Sequence, residues 1–159
     1  MELYDLSNEF KKWKDKNSFF TPFHYIGAIC NFENLLAISK LLFPDVVLIA
    51  DCFLLKDTRQ WKSFNEFWEN AKTSADLEKT INFICINSLT NIDSEKNDNV
   101  LNKEIAYLIK NSWELFFSNE YKDLDLSINV YEDNNDGWCI TVFQNKNENR
   151  QKPPVWNIN

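Results

Sequence analysis

Glycine and histidine are almost missing from this chain: Gly27, Gly137 and His24 are the whole complement in 159 residues. Two isolated glycines cannot build a phosphate-cradling loop, which needs several close together, nor a G-x-S-x-G nucleophile elbow. Nucleotide-dependent enzymes of the common motif classes are excluded on that ground. A single histidine rules out metal sites built from several imidazoles and leaves His24 as the one candidate for an imidazole base. Its β-rich surroundings fit a satisfied structural histidine better than a catalytic one.

Paired cysteines are absent too. Cys30, Cys52, Cys85 and Cys139 stand far apart in apolar stretches with no C-x-x-C spacing, and read as buried thiols rather than ligands or activated nucleophiles. The longest apolar run, 46–55, is broken by Asp51 and falls well short of the roughly 20 residues that span a bilayer. Met1 to Asp5 show no basic segment leading into an apolar one, as a signal peptide would. The expectation is a cytoplasmic protein of a reducing compartment, with no cofactor, no metal and no membrane partner.

What the chain does have is aromatic mass: 13 Phe, 6 Trp and 5 Tyr within a 44% hydrophobic composition, enough to build a core without disulfides. Residues 1–144 read as one α+β domain, and the polar stretch 145–159, with Pro153-Pro154, as a mobile C-terminal tail.

Leu3, Leu6, Phe10 and Trp13 recur at helical spacing among Lys11, Lys12 and Lys14, which predicts an amphipathic helix over 3–16. Beyond Pro22, the β-forming run from Phe23 to Cys30 reads as a first strand interrupted by Gly27. Asn31 is placed to cap a helix over 32–43, whose apolar face holds Leu35, Leu36, Ile38, Leu41 and Leu42 and which Pro44 ends. The apolar run 46–55 reads as a strand covered on both faces and central in its sheet. Capping patterns at Asp57/Gln60 and Thr73/Asp76 predict two more helices, the first carrying Trp61, Phe64, Phe67, Trp68 and Ala71. The second keeps helical spacing through Leu77, Ile81, Ile84, Cys85, Ser88 and Ile92, although 80–86 is β-rich enough to be a strand.

Residues 93–99 hold no apolar side chain and read as an exposed loop. The longest helix follows over 100–117, with Leu101, Ile105, Leu108, Ile109, Trp113 and Phe116 toward the core. Leu124, Leu126, Ile128 and Val130 then alternate with Asp125, Ser127, Asn129 and Tyr131, Asn134-Asn135-Asp136-Gly137 supplies a turn, and 138–143 returns as the second strand of a β-hairpin. The sum is an α+β fold of four to five helices packed on a small mixed β-sheet that includes this C-terminal hairpin.

Carboxylates are the plentiful reactive groups. Asp51, inside an apolar run, reads as a strand-end or bulge residue reaching solvent, or else as half of a small hydrolase or transferase site with His24. A calcium loop at 133–136 is not supported, because the Asn/Asp/Gly content there already serves the turn. Glu120, Asp123, Asp125, Glu132, Asp133 and Asp136, against Lys122 alone, put a net five negative charges of the chain's formal −7 into one short window. Such a window either solvates a hairpin face or steers a basic protein partner. Nucleic acid is disfavoured as that partner, since a chain of pI ≈ 4.8 repels phosphates and the lysines of 11–16 have Asp15 among them. Trp61, Trp68 and Tyr121 are candidate interface anchors, but helical spacing favours core for both tryptophans.

The helix start Asn31-Phe32-Glu33-Asn34-Leu35-Leu36, the junction Phe43-Pro44-Asp45-Val46-Val47 and the Asp-rich hairpin together give the chain the general character of bacterial toxin-immunity proteins. It resembles those of contact-dependent growth inhibition systems among others. The resemblance implies a non-enzymatic protein that binds and neutralises a cognate basic toxin domain, a nuclease among the possibilities, and the six carboxylates of 120–136 are the candidate binding residues. A homodimerising adaptor that pairs through its hairpin edge is a further reading.

Overall fold

The structure, a computed structural model, describes residues 7–17, 19, 21–56, 58, 63–89 and 99–151. The start of the first helix at 3–6, the Asp57/Gln60 capping pattern with Trp61, the loop 93–98 and the tail 152–159 lie outside the described residues. Helix α1 (Asn8–Lys16) is capped by Ser7, whose side chain accepts from Phe10 N. The first departure from the sequence pattern comes at Thr21. Its hydroxyl accepts from His24 N and Pro22 takes the first helical position, so Pro22–Ile29 is helix α2 where β-forming composition predicts a strand. Local capping overrides propensity here. Asn31 caps α3 (Phe32–Leu42) as expected, its side chain accepting from Asn34 N.

The apolar run that follows is not one strand. Val46–Ile49 (β1) and Cys52–Leu55 (β2) pair antiparallel as a two-stranded sheet closed by Ala50-Asp51. Both turn residues have positive φ, 49° and 66°. That backbone matches the strand twist of a tight hairpin but is disfavoured for L side chains. β2 is buried on both faces, as an unbroken apolar run implies, whereas Leu48 of β1 is exposed. The strand is therefore covered without being flanked by strands on both sides.

Helix α4 (Phe64–Asn70) is followed by α5 (Ser74–Ile81), which opens on the predicted capping box: Thr73 Oγ1 accepts from Asp76 N, and Asp76 accepts from Thr73 N. α5 ends at Ile81 instead of continuing toward Ile92. Ile84–Cys85 forms the short strand β3, and Ile86–Ser88 a 3₁₀ turn, so the helix favoured by spacing stops at Ile81 and the strand alternative for 80–86 holds at 84–85 alone. After α6 (Asn99–Glu120), β4 (Leu126–Asp133) and β5 (Gly137–Gln144) form the predicted hairpin, and the antiparallel sheet has the order β3-β5-β4. The fold is α+β, with two antiparallel sheets among the described residues in place of one mixed sheet. At the turn, Asp133 Oδ1 accepts from Asn135 N and Asp136 N, and Gly137 has φ 74° with the Asn87 side chain 2.6 Å from where a Cβ would stand. Only glycine fits there.

α6 lies across this sheet. Asn102, Ala106, Ile109, Trp113 and Phe117 are its buried stripe; Ile109 and Trp113 are core as the spacing predicts, Ile105 and Phe116 pack partly buried at its edge, and Leu108 is exposed. Phe53 and Leu55 of β2 join that cluster from the other sheet, while Cys52 and Leu54 face a second cluster with Phe64, Trp68, Leu77 and Ile81. The segment Asn145–Gln151, read from sequence as part of a mobile tail, is tied down: Asn147 is buried, Ser74 N donates to Arg150 O, and Gln151 bridges to Thr73.

No strand ladder joins β2 to β5; side chains of α5 and of its C-cap residue Asn82 do. Asn82 Oδ1 accepts from Leu55 N, and its Nδ2 donates to both Phe53 O and Val142 O, each at 2.7 Å. Glu78, one turn earlier, accepts from Phe53 N at 2.6 Å and Gln144 N at 2.8 Å. The free edges of two sheets are satisfied by one helix face. Replacing Asn82 with alanine leaves two buried carbonyls and one buried N–H without partners, and should cost about 3–5 kcal/mol of unfolding free energy in urea titration. A loss under about 1 kcal/mol would show that water or backbone shifts replace these bonds.

Candidate functional site

The six carboxylates of 120–136 do not form one patch. Glu120 ends α6, Asp123 lies in the following turn and Asp125 immediately precedes β4, whereas Glu132, Asp133 and Asp136 stand at the hairpin tip. Strand β4 separates the two groups by about 25 Å at roughly 3.3 Å per residue. At the tip, Asp133 is committed to the turn amides, and Glu132 Oε1 accepts from Asn99 Nδ2 at 3.0 Å. At the base, Asp125 Oδ1 accepts from Asn145 Nδ2 at 2.9 Å, and Glu120 and Asp123 are exposed. Among the described residues the five ion pairs use other acids, Glu9, Asp45, Glu148, Glu114 and Asp51. The base group adjoins the C-terminus of the 22-residue α6, whose free carbonyls add negative potential.

Asp51 and His24 are given separate partners. Asp51, exposed on the β1–β2 turn, pairs with Arg150 Nη2 at 3.0 Å, while Thr21 Oγ1 and His24 Nδ1 share a hydrogen bond of 3.1 Å on α2. No hydrogen bond or ion pair links the two among the described residues. Of the thiols, Cys52 and Cys139 are buried and Cys30 and Cys85 half-buried. Burial pushes the Cys52 thiol up to about 11 and the Cys139 thiol up to about 12, so neither is a thiolate near neutral pH.

A cleft of about 540 Å³ opens among Leu41, Pro44, Leu55 and Ile84, with Lys40, Lys56, Cys85 and Asp136 also lining it. The size suits a small ligand. Two of its polar groups are occupied: Lys40 Nζ holds Asp45 at 2.6 Å, which keeps that carboxyl below its usual range, and Cys85 Sγ donates to Asp136 O, whereas the buried Thr58 Oγ1 has no hydrogen-bond partner among the described residues. A polar cleft of about 390 Å³ beside it is lined by Asn87, Asn99 and the hairpin tip.

Two features escape the sequence pattern. The first is an apolar surface on α2 and α3, neither of which has a buried residue. Leu35, Leu36 and Ile38, placed in the core by helical spacing, are exposed, and only Leu41 and Leu42 at the end of α3 pack against the core. The Thr21-Pro22 cap was the available signal that α2 is a helix. The second is Glu78, fully buried, which accepts four N–H donors from Phe53, Gln144 (backbone and side chain) and Asn147. Its sign in the sequence is that Glu78 and Asn82 follow Leu77 and Ile81 at i,i+4, and so share the apolar side of α5.

No family model, no curated protein and no solved structure matches this chain. Among the described residues no helix is long and apolar enough to cross a membrane.

Burial pushes the Glu78 carboxyl up, and the four N–H donors only partly offset this. Because the folded pKa lies above the unfolded one, Glu78 favours folding most at acid pH, and that contribution is lost as pH rises through the folded value. In urea titrations from about pH 4 upward, the stability of wild type minus that of Glu78→Gln should therefore fall with pH and then level off. A difference that rises with pH would mean that the hydrogen bonds outweigh burial.

Proposed function

We propose that this chain is a non-enzymatic immunity-type protein that captures a basic toxin domain, with Glu120, Asp123 and Asp125 as the principal attracting group. The observation that carries this is that none of those three carboxylates has an ion-pair partner among the described residues, beside the α6 C-terminus, with Lys122 the one cation within their stretch of sequence. The hairpin tip, about 25 Å away, lies beyond the Debye length of about 8 Å at physiological salt, so the two acidic ends act as separate fields. A toxin that cleaves nucleic acid carries Lys and Arg along its substrate groove. An acidic surface docked over that groove blocks the phosphates by occupying their place, and needs no chemistry of its own.

The first test is co-expression in bacteria with the product of the adjacent reading frame, where rescue of growth together with a stable complex supports the proposal. Absence of both contradicts it. With that partner in hand, the double substitution Glu120→Lys/Asp123→Lys should slow association at least about tenfold at low salt and flatten its salt dependence. Asp136→Lys at the tip should change the rate less than about twofold, since it lies beyond screening range. Equal effects at both ends would contradict the assignment of the base.

A further inference from the structure

We propose that the apolar face of α2 and α3 is the interface of a homodimer, in which a second copy of this chain packs against Phe23, Ile26, Phe32 and Leu36 across a twofold axis.

Several independent observations lead there. α2 has eight residues and α3 eleven, and neither buries one of them against the rest of the described chain. Helices that short are marginal in water unless an apolar face is packed. Here the unpacked side is apolar: Phe23 is 84% exposed, Phe32 76%, Leu36 57% and Ile29 50%. On α2, Tyr25 turns to Phe10 and Trp13 of α1, which leaves Phe23, Ile26 and Gly27 as an outward stripe at i, i+3, i+4.

Gly27 points the same way. Glycine inside a helix is unfavourable relative to alanine, and among the described residues no atom stands within 4 Å of where its Cβ would be. Nothing among the described residues requires glycine at this position. Close approach of another helix backbone does.

Size and charge favour a second copy over other occupants. Phe23, Ile26, Phe32, Leu35 and Leu36, at i, i+3, i+4 on their helices, expose roughly 500 Å² of apolar side chain, about the apolar share of the ~800 Å² per partner of a stable interface. Residues 19–38 carry one formal charge, Glu33, in a chain of net −7. Two copies can meet on this face without the like-charge repulsion that opposes contact through the acidic ends. A Phe/Leu/Ile surface without Trp or Arg is also the composition of a homodimer core rather than of a transient heterologous interface.

The proposal stands apart from the toxin-binding one, since it uses none of the acidic residues. Sedimentation of the full chain across the micromolar range tests it, with a species of twice 18.9 kDa expected. Gly27→Leu should improve the isolated helix while blocking close approach, and so weaken dimerisation at least about tenfold with far-UV circular dichroism unchanged. Phe23→Glu should give a monomer. A wild-type monomer throughout would overturn the proposal, including one that gains mass only on phosphatidylglycerol vesicles. So would a dimer that both substitutions leave intact; if Phe23→Glu unfolds the chain, Gly27→Leu alone decides.

Discussion

A buried carboxylate that accepts only N–H donors stands at the junction of two sheets, and much of the architecture follows from satisfying it. Glu78 and Asn82 occupy the position that another strand would take between β2 and β5. Each β-edge carries N–H and C=O groups that water cannot reach, and such groups must be paired within the protein. The Asn147 and Gln144 amides complete the ring around Glu78 Oε1, and Gln144 Nε2 also donates to Asp51 O. The same network thereby holds the left-handed Ala50-Asp51 turn, with Arg150 gripping the Asp51 side chain from outside. This explains why Asn145–Gln151 is held against the fold instead of trailing into solvent.

The elements that were legible in the sequence are those whose determinants are local. Alternation and Asn/Asp/Gly turn chemistry mark the β4–β5 hairpin, and Thr73 with Asp76 marks the start of α5. What failed was pattern that two structures share. Phe23–Cys30 has the composition of a strand, yet the Thr21-Pro22 cap sets the backbone of the first turn. Val46–Leu55 is apolar on either side of Asp51 and breaks there because Ala50 and Asp51 adopt positive φ; Asp51 marks the point as a residue that reaches solvent, while Ala50 gives no sign of the turn. α6 has adjacent apolar stripes, as Phe116-Phe117 illustrates, so periodicity alone leaves its rotation ambiguous by one position. Glu78 and Asn82 are polar residues whose burial depends on edges distant in sequence, and no local signal reveals that pairing.

The same contrast governs the candidate sites. Six acids crowded within seventeen residues look like one cluster until a strand is drawn between them, after which they are two ends of a rod. The base group sets exposed Glu120 and Asp123, with Asp125 bonded to Asn145, beside a helix terminus; the tip spends Asp133 on its own turn. The uncharged α2–α3 face lies in a different part of the chain, so charge and apolar area are divided between separate surfaces. That division suits a protein that steers one partner electrostatically and associates through burial elsewhere.

Native-state hydrogen exchange at Phe53, Leu55 and Gln144 tests the central claim most directly, because these three backbone N–H groups donate to the α5 side chains and to no strand neighbour. If Glu78 and Asn82 join the two sheets into one cooperative unit, all three should exchange only through global unfolding, at the slow rate of the β4–β5 ladder. Fast exchange at the three while that ladder stays protected would show that the sheets separate independently, and would contradict the account.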